Sequence, residues 1–269
     1  MKSLKKSIIR WSATLGIAGS AFIGASTIST LEVLALPEQQ VLQKLGPVPM
    51  FTITDEKGAP LVASVPKQNN AAAANQAGFV GVFINRQDAL AFVDKQLKTK
   101  NPALAKNVRV VPVSLGEVYK LVQANKNKPN SPKFAFVPDG QQVEAARTLL
   151  KQRGQKVEAF TGTPLFVAKA GKEKGYLTIS QANGQVIPFF FNKDELQSMV
   201  ERFKKQKPDM ASTIEIQVVN LEGLLQAMQS RNDQGLSQVM LIPPRESLEF
   251  VRSLQPAPTG SQQRQAPKR

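Results

Sequence analysis

The 269-residue chain is 42% hydrophobic and 20% charged, enough for one large domain or two small ones, each able to bury a core. It contains no Cys, which excludes disulfides, thiol nucleophiles and thiolate metal sites, and no His, which removes the usual general base and the commonest metal ligand. The formal charge of +15 favours acidic partners; four basic residues against Glu32 fall in the first 35 positions, which leaves +12 for the remainder.

Residues 1–35 read as a secretory signal peptide. Lys2, Lys5, Lys6 and Arg10 make a basic start, Trp11–Ile28 is apolar and uncharged, and Val33-Leu34-Ala35 offers a processing site before the polar Pro37-Glu38-Gln39-Gln40. The apolar stretch is rich in Gly, Ser, Thr and Ala, which favours cleavage over anchoring. No later segment is long and apolar enough to span a bilayer, so the mature chain is expected to be soluble and exported to the periplasm.

A first unit follows, taken as 36–160. Pro49–Ile53 opens a predicted hairpin closed by Asp55–Gly58, and a soft loop is expected at Lys67–Gln76. A strand ending at Phe83 passes through Asn85, a candidate cap, into a helix with Ala89, Phe92, Val93 and Leu97 on one face. Val108–Val113 reads as a strand, and the next helix carries Leu115, Val118, Tyr119 and Val122 as its apolar stripe. After a Lys- and Pro-rich loop at Asn125–Lys133 come a strand, Phe134–Pro138, and a helix bearing Val143, Ala146 and Leu149.

The second unit, 161–254, repeats this order. Pro164–Ala168 answers Pro49–Ile53, with Gly171–Gly175 closing its hairpin, and Phe190-Phe191-Asn192 answers Phe83-Ile84-Asn85. Ile214–Val219 answers Val108–Val113, the stripe Leu221, Leu224, Leu225, Met228 answers that of the earlier helix, and Val239–Pro243 answers Phe134–Pro138. A final helix with Leu248, Val251 and Leu254 completes the copy. The expectation is an α/β fold of two tandem homologous units with pseudo-two-fold symmetry. Each unit runs hairpin, strand, helix, strand, helix, strand, helix. Residues 255–269 are Pro-, Gln- and basic-rich with almost no apolar side chain, and read as a disordered tail.

Chemistry is hard to find. No phosphate-binding Gly-rich loop, esterase elbow or calcium loop is present, so no cofactor, metal or catalytic residue is assigned. A Ser–Lys nucleophile or a carboxylate pair stays open in principle. Asp139 sits where an active-site carboxylate would, at a strand exit, but the same position suits a helix cap, and Asp88, Glu117, Glu195 and Glu222 are read first as helix-start or solvent-face acids. The aromatic residues Phe79, Phe83 and Phe190 share equivalent strand faces in the two units. They are core residues on one reading and the lining of an apolar client-binding seam on the other.

Val48–Asp55, Gly58–Val62, Val113–Tyr119 and Ile187–Phe191 together resemble the Tic22-like family, a likeness that covers nearly all of 45–254. The bacterial-type leader makes it resemble a cyanobacterial form. The resemblance implies a soluble periplasmic protein with apolar pockets between its halves. Its role would be to carry unfolded or precursor polypeptides, with an Omp85-type outer-membrane assembly protein as partner and the outer membrane or the thylakoid as destination. The competing reading is a basic module for nucleic acid or anionic surfaces, suggested by the charge of +12 outside the leader; export argues against a nucleic-acid partner.

Overall fold

A computed structural model describes residues 36–63, 78–128, 131–171, 173, 175–182, 184–230 and 233–255. The leader, the expected loop at 67–76 and all but the first residue of the tail lie outside them. The described residues form two mixed sheets with helices between and outside them.

The strands are β1 (Pro49–Asp55), β2 (Val62–Ala63), β3 (Phe79–Phe83), β4 (Val108–Ser114), β5 (Lys133–Val137), β6 (Pro164–Ala170), β7 (Gly175–Tyr176), β8 (Ile179–Gln181), β9 (Gly184–Phe190), β10 (Glu215–Asn220) and β11 (Val239–Ile242). The helices are α1 (Glu38–Leu45), α2 (Arg86–Ala91), α3 (Lys98–Lys100), α4 (Pro102–Lys106), α5 (Leu115–Asn125), α6 (Gly140–Gln152), α7 (Lys193–Gln206), α8 (Leu221–Ser230), α9 (Gln234–Gln238) and α10 (Arg245–Ser253).

In the first sheet β1 lies between antiparallel β4 and β3, and β5 runs parallel to β3 at the edge. In the second, β6 lies between antiparallel β10 and β9, and β11 runs parallel to β9. The order and sense are the same. So are details of register: Phe51 pairs with Phe83 and Phe166 with Phe190. The first N–H of α5 donates to Val48 O and that of α8 to Thr163 O, each at 2.8 Å.

Alternation along the strands divides the core in three. Met50, Val82, Leu165, Val167, Ile187, Phe189 and Phe191 turn into a central cluster shared by both sheets, which the stripes of α5 and α8 fill. Phe51, Ile53 and Phe83 face outward beneath the helix that starts with α2. Phe166, Ala168, Ala170 and Phe190 face outward on the other side, beneath Leu196 and Val200 of α7. Each central strand is covered on both faces, which is why its sequence is nearly continuously apolar.

The outermost helices cross over. Helix α6 packs on β6 and β10 of the second sheet, with Ala146 fully buried there. Helix α10 packs on β1 of the first, where the Phe250 ring lies 5.8 Å from that of Phe51 and the Arg86 guanidinium sits 4.4 Å over the Phe250 ring. Sequence periodicity marks which face of a helix is apolar, and says nothing of which sheet will cover it.

Two local expectations are corrected. The first hairpin turns at Asp55–Gly58 but is short: Thr54 and Pro60 form one antiparallel bridge, Leu61 N donates to Ile53 O and Asp55 N to Ala59 O, and β2 then leaves to pair with β3. Its counterpart pairs β6 with β7, turning at Gly171 with φ 81°. The helix after Asn85 passes through a π-helical stretch, Phe92–Leu97.

Candidate functional site

The three candidate aromatic residues do not meet. Phe83 is buried in the outer cluster of the first sheet, its ring 5.8 Å from that of Phe92. Phe190 is buried in the outer cluster of the second. Strand alternation turns both away from the central core where the two sheets meet, so neither lines a seam between them. Phe79 alone of the three is exposed, at 39%. Other exposed large apolar residues are Val62, beside it on β2, Leu121 and Val122 on α5, and Leu254.

The first turns of α2, α6, α7 and α10 instead converge on an open cleft of about 900 Å³ lined by polar residues. Four helix starts need acceptors for their free N–H groups, and local acids and amides supply them. Asn85 Oδ1 accepts from Asp88 N at 2.7 Å, and Asn192 Oδ1 accepts from Asp194 N and Glu195 N. Asp139 Oδ1 accepts from Gln141 N and Gln142 N. The cleft also links elements distant in sequence: Lys193 N donates to Gln142 Oε1, and Arg245 N to Glu195 Oε1, both at 2.9 Å.

Asn85 Nδ2 lies 3.0 Å from both Asp88 Oδ2 and Asp139 Oδ2 and holds the two carboxylates close. Burial pushes the Asp88 carboxyl above its ordinary range, Asp139 adds to the rise, and the Asn85 hydrogen bond opposes it. Two carboxylates sharing one amide donor make a capping centre for α2 and α6. Among the described residues no group of three or more acidic side chains is placed to hold a metal ion.

Sequence reasoning missed this cleft because its members are scattered caps. The Asn at each strand exit, Asp139 as a cap and Asp88 and Glu195 as helix-start acids were each visible, but nothing in the sequence brought them together. It also missed α1 and α9. Burial pushes the Lys44 ammonium on α1 below its ordinary range, and it donates to the carbonyls of Ser237 and Val239 at the end of α9.

The fold and surface define a mixed α/β protein of two like-ordered sheets with apolar side chains partly exposed to water. Comparison with known proteins gives the family. Residues 4–253 match the sequence pattern of the Tic22-like family, and the chain belongs to it. Its relatives include Protein TIC 22, chloroplastic, of Arabidopsis thaliana, 27% identical over 209 residues that span 77% of this chain and 68% of that protein. The Pisum sativum protein of the same name is 26% identical over 61% of this chain and 60% of its own length. Among solved structures, Anabaena Tic22 (protein transport) superposes with a TM-score of 0.71 at 35% identity, over 83% of this chain and all of that one. Tic22 from Plasmodium falciparum gives 0.60 at 17% identity over 80% and 96%, a likeness of fold.

Proposed function

We propose that this chain is a periplasmic protein-transport factor that carries unfolded or precursor polypeptides on exposed apolar surface and catalyses nothing. The observation that carries the reading is the likeness to the whole of Anabaena Tic22 (protein transport). Exposed Leu121 and Val122, adjacent on α5, and separately exposed Phe79 on β3 support it as apolar side chains available to a partner. No helix of the described residues is long and apolar enough to cross a membrane. Residues 1–35 act as a cleaved leader, and an Omp85-type assembly protein receives the client. The matching strand order, sense and cap positions support two copies of one unit, 36–160 and 161–254, related by a pseudo-two-fold axis.

The test is dilution of a urea-denatured outer-membrane barrel protein into buffer with and without purified residues 36–269. The reading expects suppressed aggregation and a complex on gel filtration. Aggregation unchanged at excess protein overturns it. The charge of +12 outside the leader supports a second reading, binding to anionic surfaces; it predicts retention on nucleic acid or anionic vesicles that falls with salt, independent of Phe79, Leu121 or Val122.

A further inference from the structure

The two edge strands β5 and β11 occupy the same place in their sheets, and their registers align them residue by residue. Val137 pairs with Phe83 and Ile242 with Phe190, so Phe134 answers Val239 and Phe136 answers Leu241. Helices α5 and α8 start from the same backbone bond, so Leu121 answers Ala227 and Val122 answers Met228. Burial does not follow this alignment. Met228, Val239 and Leu241 are 0%, 1% and 5% exposed, whereas Val122 is 37% and Leu121 46% exposed and Phe134 and Phe136 are only half-buried.

The difference has a visible cause. The connection from α8 to β11 contains α9, whose Leu236 is inserted in the central core. Asp233 caps α9 by accepting from Gly235 N at 2.8 Å, and Lys44 ties its end to α1. The connection from α5 to β5 runs Lys126-Asn127-Lys128-Pro129-Asn130-Ser131-Pro132 and offers no leucine-like side chain. Helix α5 packs against β5, and the described residues of the connection, 126–128 and 131–132, bring no such side chain to the two elements.

Along the chain this flank is basic, and the neighbouring element α1 brings the carboxylate of Glu38, whose charge adds to burial in raising the Tyr119 hydroxyl above its ordinary range. Lys120, Lys126, Lys128 and Lys133 are exposed there, and no Asp or Glu occurs between Glu117 and Asp139. The chain's own tail, with Arg264, Lys268 and Arg269, is of the wrong charge to settle on it. We infer that the flank between α5 and β5 is the seat of a partner polypeptide segment that presents a leucine-type side chain flanked by carboxylates, filling at the first sheet the place that Leu236 fills at the second. The inference rests on the carrier reading and names the chemistry of the client segment.

The experiment uses residues 36–269 and a fluorescein-labelled peptide that sets the Asp233–Gln238 sequence between glutamates, read by anisotropy. Twin peptides replace its Leu by Ser or its glutamates by Lys. The expected result is saturable binding that weakens at raised salt and falls about tenfold or more with either twin, the loss of one good apolar anchor or of the charge match. Leu121→Asp and Val122→Asp should cause a similar fall while each variant still unfolds in one cooperative urea transition, because both side chains are partly exposed. Binding unaltered in both variants, or a Lys twin that binds as well, overturns the inference. If wild type ignores the peptide yet still holds the denatured barrel protein, this seat falls and the carrier reading stands; if it holds neither, both fall.

Discussion

Replacing Phe190 by Ala separates an interior residue from a docking residue. The ring is 8% exposed and lies in the outer cluster of the second sheet with Phe166, Leu196 and Val200, between β9 and the apolar face of α7. Truncation removes this packing and leaves a cavity that the two covering elements cannot fully close, at a cost of about 3–5 kcal/mol. With a urea slope of about 3 kcal/mol per molar, the midpoint falls by about 1–1.7 M. Phe79→Ala, at an exposed ring, should stay within about 0.5 kcal/mol of wild type. Equilibrium urea unfolding followed by fluorescence and far-ultraviolet circular dichroism measures both. A Phe190→Ala midpoint within about 0.2 M of wild type would refute the interior placement, and with it the division of the core by strand alternation.

Asn85→Ala removes the α2 cap and the amide between Asp88 and Asp139, and should cost about 0.5–2 kcal/mol in the same assay. Asp88 has a raised folded-state pKa, so its protonated form favours the fold: that contribution is complete below the unfolded pKa and is lost as pH rises through the folded one. Asp88→Asn, which keeps the carbonyl acceptor, should therefore flatten the stability profile over that window and gain at neutral pH; a profile identical to wild type refutes the shift. Truncation after Leu254 should leave the melting temperature unchanged, because 255–269 lacks the apolar residues to offset the entropy of ordering it. Residues 36–160 and 161–254 expressed apart should each fail to fold cooperatively, since α6 and α10 lie on each other's sheets; a sharp two-state transition in either half counts against that coupling.

The sequence made most of the strands and long helices legible. The long helices carry a period of about three and a half, as in α8, the central strands a nearly unbroken apolar run, as in β6, and Asn at a strand exit marks the following helix start. It did not make legible the exchange of α6 and α10, because an apolar stripe such as Leu248 and Val251 states that a face is buried and leaves the cover unnamed. Nor did it separate Phe79 from Phe83. Both lie on the same face of β3, and what distinguishes them is distance from the strand's end: Phe83 faces Phe92 and Val137, whereas Phe79 pairs with Ala63 and Lys133 at the margin of the sheet. The short α9 was missed because five residues with one Leu have no period to detect, although that Leu does as much to close the second sheet as a longer element.

This last point bears on why one flank stays open. Fully burying a leucine or valine side chain contributes about 1.5–3 kcal/mol, and a half-exposed one forfeits much of that. At Leu121 and Val122 the chain therefore holds apolar side chains where they return little to its own stability. The aligned positions on α8 differ: Ala227, smaller and partly buried, stands beside a fully buried Met228. Apolar side chains kept in water beside a run of lysines, opposite a counterpart that is plugged from within, have their physical account in a contact that forms only with a second polypeptide.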